Sequence, residues 1–166
     1  MRLIPKTCFF TGHRILYKNE IPKIRSFLRE EILNAVNDGF TVFISGGAIG
    51  FDAMAAEQVA DIRRTYDMIK LVLYLPCANQ SARWSDADKM RYENILSLAD
   101  EIFYVSKGEY KEGCMKKRNK AMTEASDLCI SYMRNKMGGT WQTVGMATEK
   151  GIPVINIADS IDAQDI

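Results

Sequence analysis

The chain has 166 residues, 47% of them hydrophobic and 26% charged, against a soft prior of ~150 residues per domain. One domain over residues 1–166 is predicted, with a core that needs no disulfide or metal staples, and a disordered or fibrous chain is excluded. With 22 Lys and Arg against 21 Asp and Glu the net charge is +1, so no global field draws it to nucleic acid or to a membrane.

No uncharged run reaches the ~20 residues of a spanning helix. Lys6 interrupts the opening apolar stretch, so no secretory leader is read there. A cytoplasmic protein without a membrane partner is expected. Cys8, Cys77, Cys114 and Cys129 lie 69, 37 and 15 positions apart, and His13 is the only histidine. No C-x-x-C pair exists, so neither a structural zinc nor any other metal is expected, and the four cysteines read as buried reduced thiols. A serine or cysteine triad would have to use His13, with no G-x-S-x-G elbow present. Nothing calls for an organic cofactor.

Residues 7–10 read as a first strand. Residues 21–36 carry Ile21, Ile24, Phe27, Leu28, Ile32 and Leu33 on one helical face. Asn37-Asp38-Gly39 ends that helix, Gly39 supplying the left-handed cap. A second strand over 41–44 leads to a small-residue helix over 53–62. Residues 69–75 are apolar apart from Lys70, as a strand buried on both faces requires. Ser85, with Asp88 three positions on, caps a helix reaching about Leu98. A strand over 101–105, a helix over 112–125, a strand over 128–133, a helix over 141–150 and a strand over 153–157 complete the alternation. The polar tail from 158 reads as frayed. This pattern predicts an α/β fold, a three-layer Rossmann-like domain with a mostly parallel sheet. Ligands then belong at the strand-to-helix loops, where strand order reverses.

The strongest local signal is Ser45-Gly46-Gly47-Ala48-Ile49-Gly50-Phe51-Asp52. Gly47 and Gly50 match the second and third glycines of G-x-G-x-x-G, with Ser45 in the first place. Glycines there would bring backbone N–H groups to a phosphate at a helix N-terminus. An NTPase loop is absent, and the next strand ends without the acid that a dinucleotide fold places on ribose. Asp52 reads either as compensation of the helix dipole or as a hydroxyl ligand. Glu57, five positions on, lies roughly 140° around the helix, which argues against a carboxylate pair. Thr11-Gly12-His13-Arg14 after the first strand, and Gly138-Gly139-Thr140 before the last predicted helix, make two further anion loops. Between Lys107 and Lys120 six cations face two acids. That run reads as a solvated face or as a basic groove for single-stranded nucleic acid, with Tyr110, Trp84 or Tyr92 to stack bases.

Together these loops resemble the SLOG superfamily of Smf/DprA and LOG proteins, in its small YpsA-like bacterial branch. Ala55-Ala56-Glu57, Pro76-Cys77, Gln80, Trp84, Tyr92, Arg118-Asn119 and Ser126-Asp127 carry the resemblance along with the glycine loops. The resemblance implies a Rossmann-like domain that binds a nucleotide or nucleotide-derived ligand. It adds Gln80, Trp84, Arg118 and Asn119 to a ligand set of Thr11, Gly12, His13, Arg14, Ser45, Gly46, Gly47, Gly50, Asp52, Gly138, Gly139 and Thr140. LOG-type members hydrolyse the N-glycosidic bond of nucleoside monophosphates, and DprA-type members bind single-stranded DNA. The LOG signature P-G-G-x-G-T-x-x-E is incomplete here. Met137-Gly138-Gly139-Thr140-Trp141 lacks its proline, second Gly-Thr and glutamate, so Asp52 or Glu57 would have to supply the carboxylate. The expected partner is a small nucleotide-type ligand, with single-stranded nucleic acid and self-association left open.

Overall fold

The computed structural model describes residues 4–165. Six strands form one sheet: β1 (Lys6–Gly12), β2 (Phe40–Ser45), β3 (Lys70–Leu75), β4 (Glu101–Tyr104), β5 (Leu128–Tyr132) and β6 (Val154–Asn156). Every neighbouring pair is parallel and the order is β4-β3-β2-β1-β5-β6. The helices between them are α1 (Ile21–Asn37), α2 (Phe51–Arg63), α3 (Asp86–Leu98), α4 (Cys114–Glu124) and α5 (Gly139–Lys150), with a 3₁₀ turn at Lys18–Glu20 before α1. The α/β three-layer reading therefore holds, and the sheet is wholly parallel.

Both faces of the central strands are covered, so successive residues of a strand enter opposite cores. On β1, Cys8 and Phe10 join α1 and α2 residues such as Ile24, Leu28, Ile32 and Val59. Phe9 between them packs with Ile44, Val72, Met122, Cys129 and Ala147 on the other face. α2 lies close to the sheet because Ala53, Ala55, Ala56 and Ala60 present little bulk, and all four are buried. Ser85 accepts from the Asp88 N–H at 3.1 Å, as its spacing predicts for the start of α3. All four cysteines are buried and unpaired. Among the described residues no helix is long and apolar enough to cross a membrane.

The chain steps outward from β1 to β4 and then returns to the other side of β1. Strand order thus reverses between β1 and β5, which opens a crevice at their carboxyl ends.

The tail departs from expectation. Residues 157–164 form a helix, α6 (Ile157–Gln164), rather than a frayed end. Ile157, Ala158 and Ile161 are buried in the same core as α1. Asn156 caps the helix through the Ala158 N–H (3.1 Å) and exchanges hydrogen bonds with the backbone of Met133 (both 3.0 Å). Lys23 and Arg134 add ion pairs to Asp165 and Asp162. Three apolar residues at i, i+1 and i+4 make too narrow a stripe to stand out in a polar tail, yet they suffice against α1. Ile161→Ala should lower unfolding stability by about 2–4 kcal/mol in denaturant titration; a frayed tail would make it neutral.

Candidate functional site

The reversal point holds a hollow of about 270 Å³, lined by residues 11–14 after β1, Ala48 and Asp52 after β2, the face of α4 bearing Met115, Arg118, Asn119 and Met122, and residues 137–140 before α5. Three separate turns and one helix therefore share a single cavity. Thr11, Gly12, His13, Arg14, Asp52, Arg118, Asn119, Gly138, Gly139 and Thr140 are brought together as expected. Met115 and Met122 were not anticipated, although positions 115, 118, 119 and 122 fall at i, i+3, i+4 and i+7, which is one helical face.

Arg118 organises the interior. Its side chain is buried, and Nη1 donates to the carbonyls of Gly46 (2.5 Å) and Tyr74 (3.4 Å) while Nε donates to Asn119 Oδ1 (2.8 Å). A Cβ on Gly46 would collide with this guanidinium, so glycine at 46 is a packing requirement. Asp52, 6% exposed, sits beside it in the first turn of α2. Burial pushes the Asp52 carboxyl up to about 6, against the opposing pull of Arg118, the Ala48 N–H and Arg14. Burial lowers Arg118, and Asp52 partly restores it.

The β2–α2 loop is built differently from the phosphate cradle its glycines suggest. The Gly47 N–H donates to Ser45 Oγ (3.2 Å) and the Ala48 N–H to Asp52 Oδ2 (3.4 Å), while Ser45 Oγ donates to the Asp52 carbonyl (2.9 Å). The Phe51 N–H, the first of α2, donates to the His13 carbonyl (3.1 Å). The loop's own serine and aspartate occupy the donors that an anion would need. Gly50, at φ 81°, lies against the backbone of His13 and Arg14, and any side chain there would strike it. Ser45, Gly46, Gly47 and Gly50 therefore shape the wall and do not line the cavity.

The open donors lie on the opposite side. Gly138, at φ 90°, is the N-cap of α5, and no side chain caps this end. The Gln142 N–H is bonded to the Gly138 carbonyl (3.1 Å), so the amides of Gly139, Thr140 and Trp141 have no acceptor within the helix. Partial positive charge at this end faces the cavity, with Arg14 and Arg118 across it.

His13 holds the loop that leads there. Its Nε2 accepts from the backbone N–H of Arg134 (2.8 Å) and Asn135 (3.3 Å), which places the ring proton on Nδ1. Burial lowers its pKa. Arg134 is anchored in turn by Glu20 (2.6 Å) and Asp162 (2.8 Å), and the Tyr132 hydroxyl donates to Glu20 Oε1 (2.5 Å).

Besides Ser45, Gly46, Gly47 and Gly50, three more expected residues fall outside the cavity. Glu57 makes a paired contact with Arg91, Nε to Oε2 at 2.9 Å and Nη2 to Oε1 at 2.5 Å, on the α2–α3 surface. The 140° that separates it from Asp52 puts it there, and it is withdrawn as a catalytic candidate. Trp84 packs edge-on against Tyr92 (5.2 Å between centroids) and lines a small cleft with Gly47. Gln80 is buried, its Nε2 donating to the Gly46 carbonyl and the Tyr92 hydroxyl (both 3.4 Å). Trp84 and Tyr92 are thus committed to packing. The basic run also divides, Arg118 turning inward while Lys116, Lys117 and Lys120 face solvent. Among the described residues no group of three or more metal-ligating side chains converges.

The model of the YpsA family, described as the YspA SLOG family, matches residues 10–151. The chain belongs to this family. It is 30% identical over 156 residues to a UPF0398 protein of Bacillus cereus strain B4264, covering 91% of this chain and 85% of the relative. A UPF0398 protein of Bacillus thuringiensis strain Al Hakam matches at the same identity and coverage. Among solved structures, DNA processing protein A of Helicobacter pylori superposes with a TM-score of 0.64 at 16% identity, over 98% of this chain and 74% of that one. DNA processing protein A of Streptococcus pneumoniae gives 0.62 at 17% identity, over 91% and 49%. These two likenesses show a shared fold.

Two titrations follow. An acid whose pKa is raised on folding costs stability above its unfolded value, so the Asp52 penalty grows from about pH 4 to about pH 6 and then stays constant. Asp52→Asn should remove that pH dependence: between pH 4 and pH 7 the wild type should lose roughly 2–3 kcal/mol relative to the variant in denaturant titrations at both pH values. His13 works in the other direction. A base whose pKa is lowered on folding contributes stability fully above its unfolded value, ~6.5, and loses it as pH falls below that. Amide exchange at Arg134 and Asn135 should quicken, relative to core amides, below pH 6.5, and His13→Ala should remove that dependence.

Proposed function

We propose that the hollow binds a nucleotide or nucleotide-derived anion, phosphate towards the α5 N-terminus and Arg14, ribose towards Asp52. One observation carries this reading: uncapped amides at Gly139 and Thr140 face two guanidinium groups and a buried carboxylate across one cavity at the strand-order reversal. Anion and hydroxyl recognition are thus supplied from opposite walls. A hollow of about 270 Å³ sits at the small end of ligand pockets and suits a ribose phosphate better than a dinucleotide.

Asp52 also favours a second reading, hydrolysis of an N-glycosidic bond. A carboxylate with a pKa of about 6, buried beside an anion cradle, is placed to stabilise positive charge developing on the sugar as the base departs and water adds. The Helicobacter pylori protein has a single-stranded DNA binding mode. Exposed Lys116, Lys117 and Lys120 leave room for such a partner here, but only with steep salt dependence.

Thermal shift with mono-, di- and cyclic nucleotides and ADP-ribose tests the binding reading. At a hundredfold excess over Kd a true ligand adds about 2.7 kcal/mol, and Arg14→Ala with Gly138→Val should abolish the gain. A panel in which nothing shifts the transition overturns the reading. If AMP is hydrolysed, chromatography will show free base with the wild type and none with Asp52→Asn.

A further inference from the structure

A second hollow, of about 340 Å³, adjoins the first and shares Met115 with it. Its walls are the β3–α3 loop, with Asn79, Gln80, Ala82 and Arg83, and the β4–α4 loop, with Tyr110. The two loops are fastened together: the Ala78 N–H donates to the Gly108 carbonyl (2.8 Å) and the Tyr110 N–H to Asn79 Oδ1 (2.7 Å). Tyr110 is therefore fixed at its backbone, yet its side chain is 58% exposed and packs in no core cluster. An aromatic ring held in place without packing is an available flat surface. Gln80 joins the two hollows from behind, since its amide and Arg118 both donate to the Gly46 carbonyl. Its Oε1 is buried in this wall without a hydrogen-bond partner, an arrangement that native proteins seldom leave uncompensated.

We propose that this second hollow is the base subsite of the nucleotide whose phosphate and ribose occupy the first. The inference rests on the nucleotide-binding reading and names where the base goes. Met115 lines both hollows, so the two meet at this side chain. Tyr110 offers stacking, Arg83 a planar cation at the rim, and the Asn79 side-chain NH₂ hydrogen bonding to a base edge. The rival position is the other side of the mouth, where Trp141 is 43% exposed at the start of α5.

Calorimetric titration of the wild type with AMP, GMP, CMP, UMP and ribose 5-phosphate separates the two readings. At least one nucleotide should bind about tenfold or more tightly than ribose 5-phosphate. Tyr110→Ala should erase that margin and leave ribose 5-phosphate unchanged, Tyr110→Phe should keep it, and Trp141→Ala should have no effect. If ribose 5-phosphate binds as well as every nucleotide, the anion site stands and the base subsite is refuted. If the margin survives Tyr110→Ala and disappears with Trp141→Ala, the base lies over α5 and the proposal is refuted. If none of the five binds, the base subsite falls together with the mononucleotide form of the binding reading.

Discussion

The buried guanidinium of Arg118 is the constraint from which the site is built. It reaches from α4 to carbonyls at the ends of two strands, Gly46 after β2 and Tyr74 on β3. A cation that has left water in this way is tolerated only when its donors are met and a counter-charge lies near. The carbonyls meet the first need and Asp52 the second. Asp52 in turn must stay close, so α2 begins where it does, and the loop before it folds back on Ser45 and Asp52. Glycine at 46 is the steric consequence, because the guanidinium occupies the volume of any side chain there.

From that joint follows the asymmetry of the cavity. Protein groups already satisfy the β2–α2 wall, so it acts as a rigid surface carrying one carboxylate. The α5 wall has a helix N-terminus without a capping side chain, held in position by a relay from Tyr132 and Glu20 through Arg134 to His13. Donors pre-organised in this way have already met their ordering cost on folding. The carboxylate costs stability throughout the pH range in which it is charged.

Much of this was legible in the residues. The apolar face of α1, the alanine surface of α2 and the serine cap of α3 are local patterns with local causes, and the structure reproduces them. Strand–helix alternation fixed the handedness of the crossovers, and with it the edge of the sheet where the loops meet. The wheel arithmetic that separates Glu57 from Asp52 also held. What could not be read were facts about partners distant in sequence. The glycine loop has the spacing of a phosphate cradle, but whether its amides are free depends on the Ser45 and Asp52 side chains folding back over them. Arg118 looked like one more cation in a basic run, and only packing against β3 turns it inward. The tail helix is decided by an α1 surface more than a hundred residues away.

The relation to the DNA processing proteins bears on the same division. At 16–17% identity the shared property is the fold, and in this chain strand order places a crevice beyond β1 and β5. Chemistry in that crevice is set by a handful of side chains that the fold does not dictate. Here they combine a titrating acid with fixed cations. Below about pH 6 Asp52 becomes neutral and the cavity gains positive character, which favours an anion. Burial holds His13 neutral to lower pH than a free imidazole, and once protonated it can no longer accept from the loop that leads to the α5 donors. One group strengthens the attraction while the other loosens the frame that receives it.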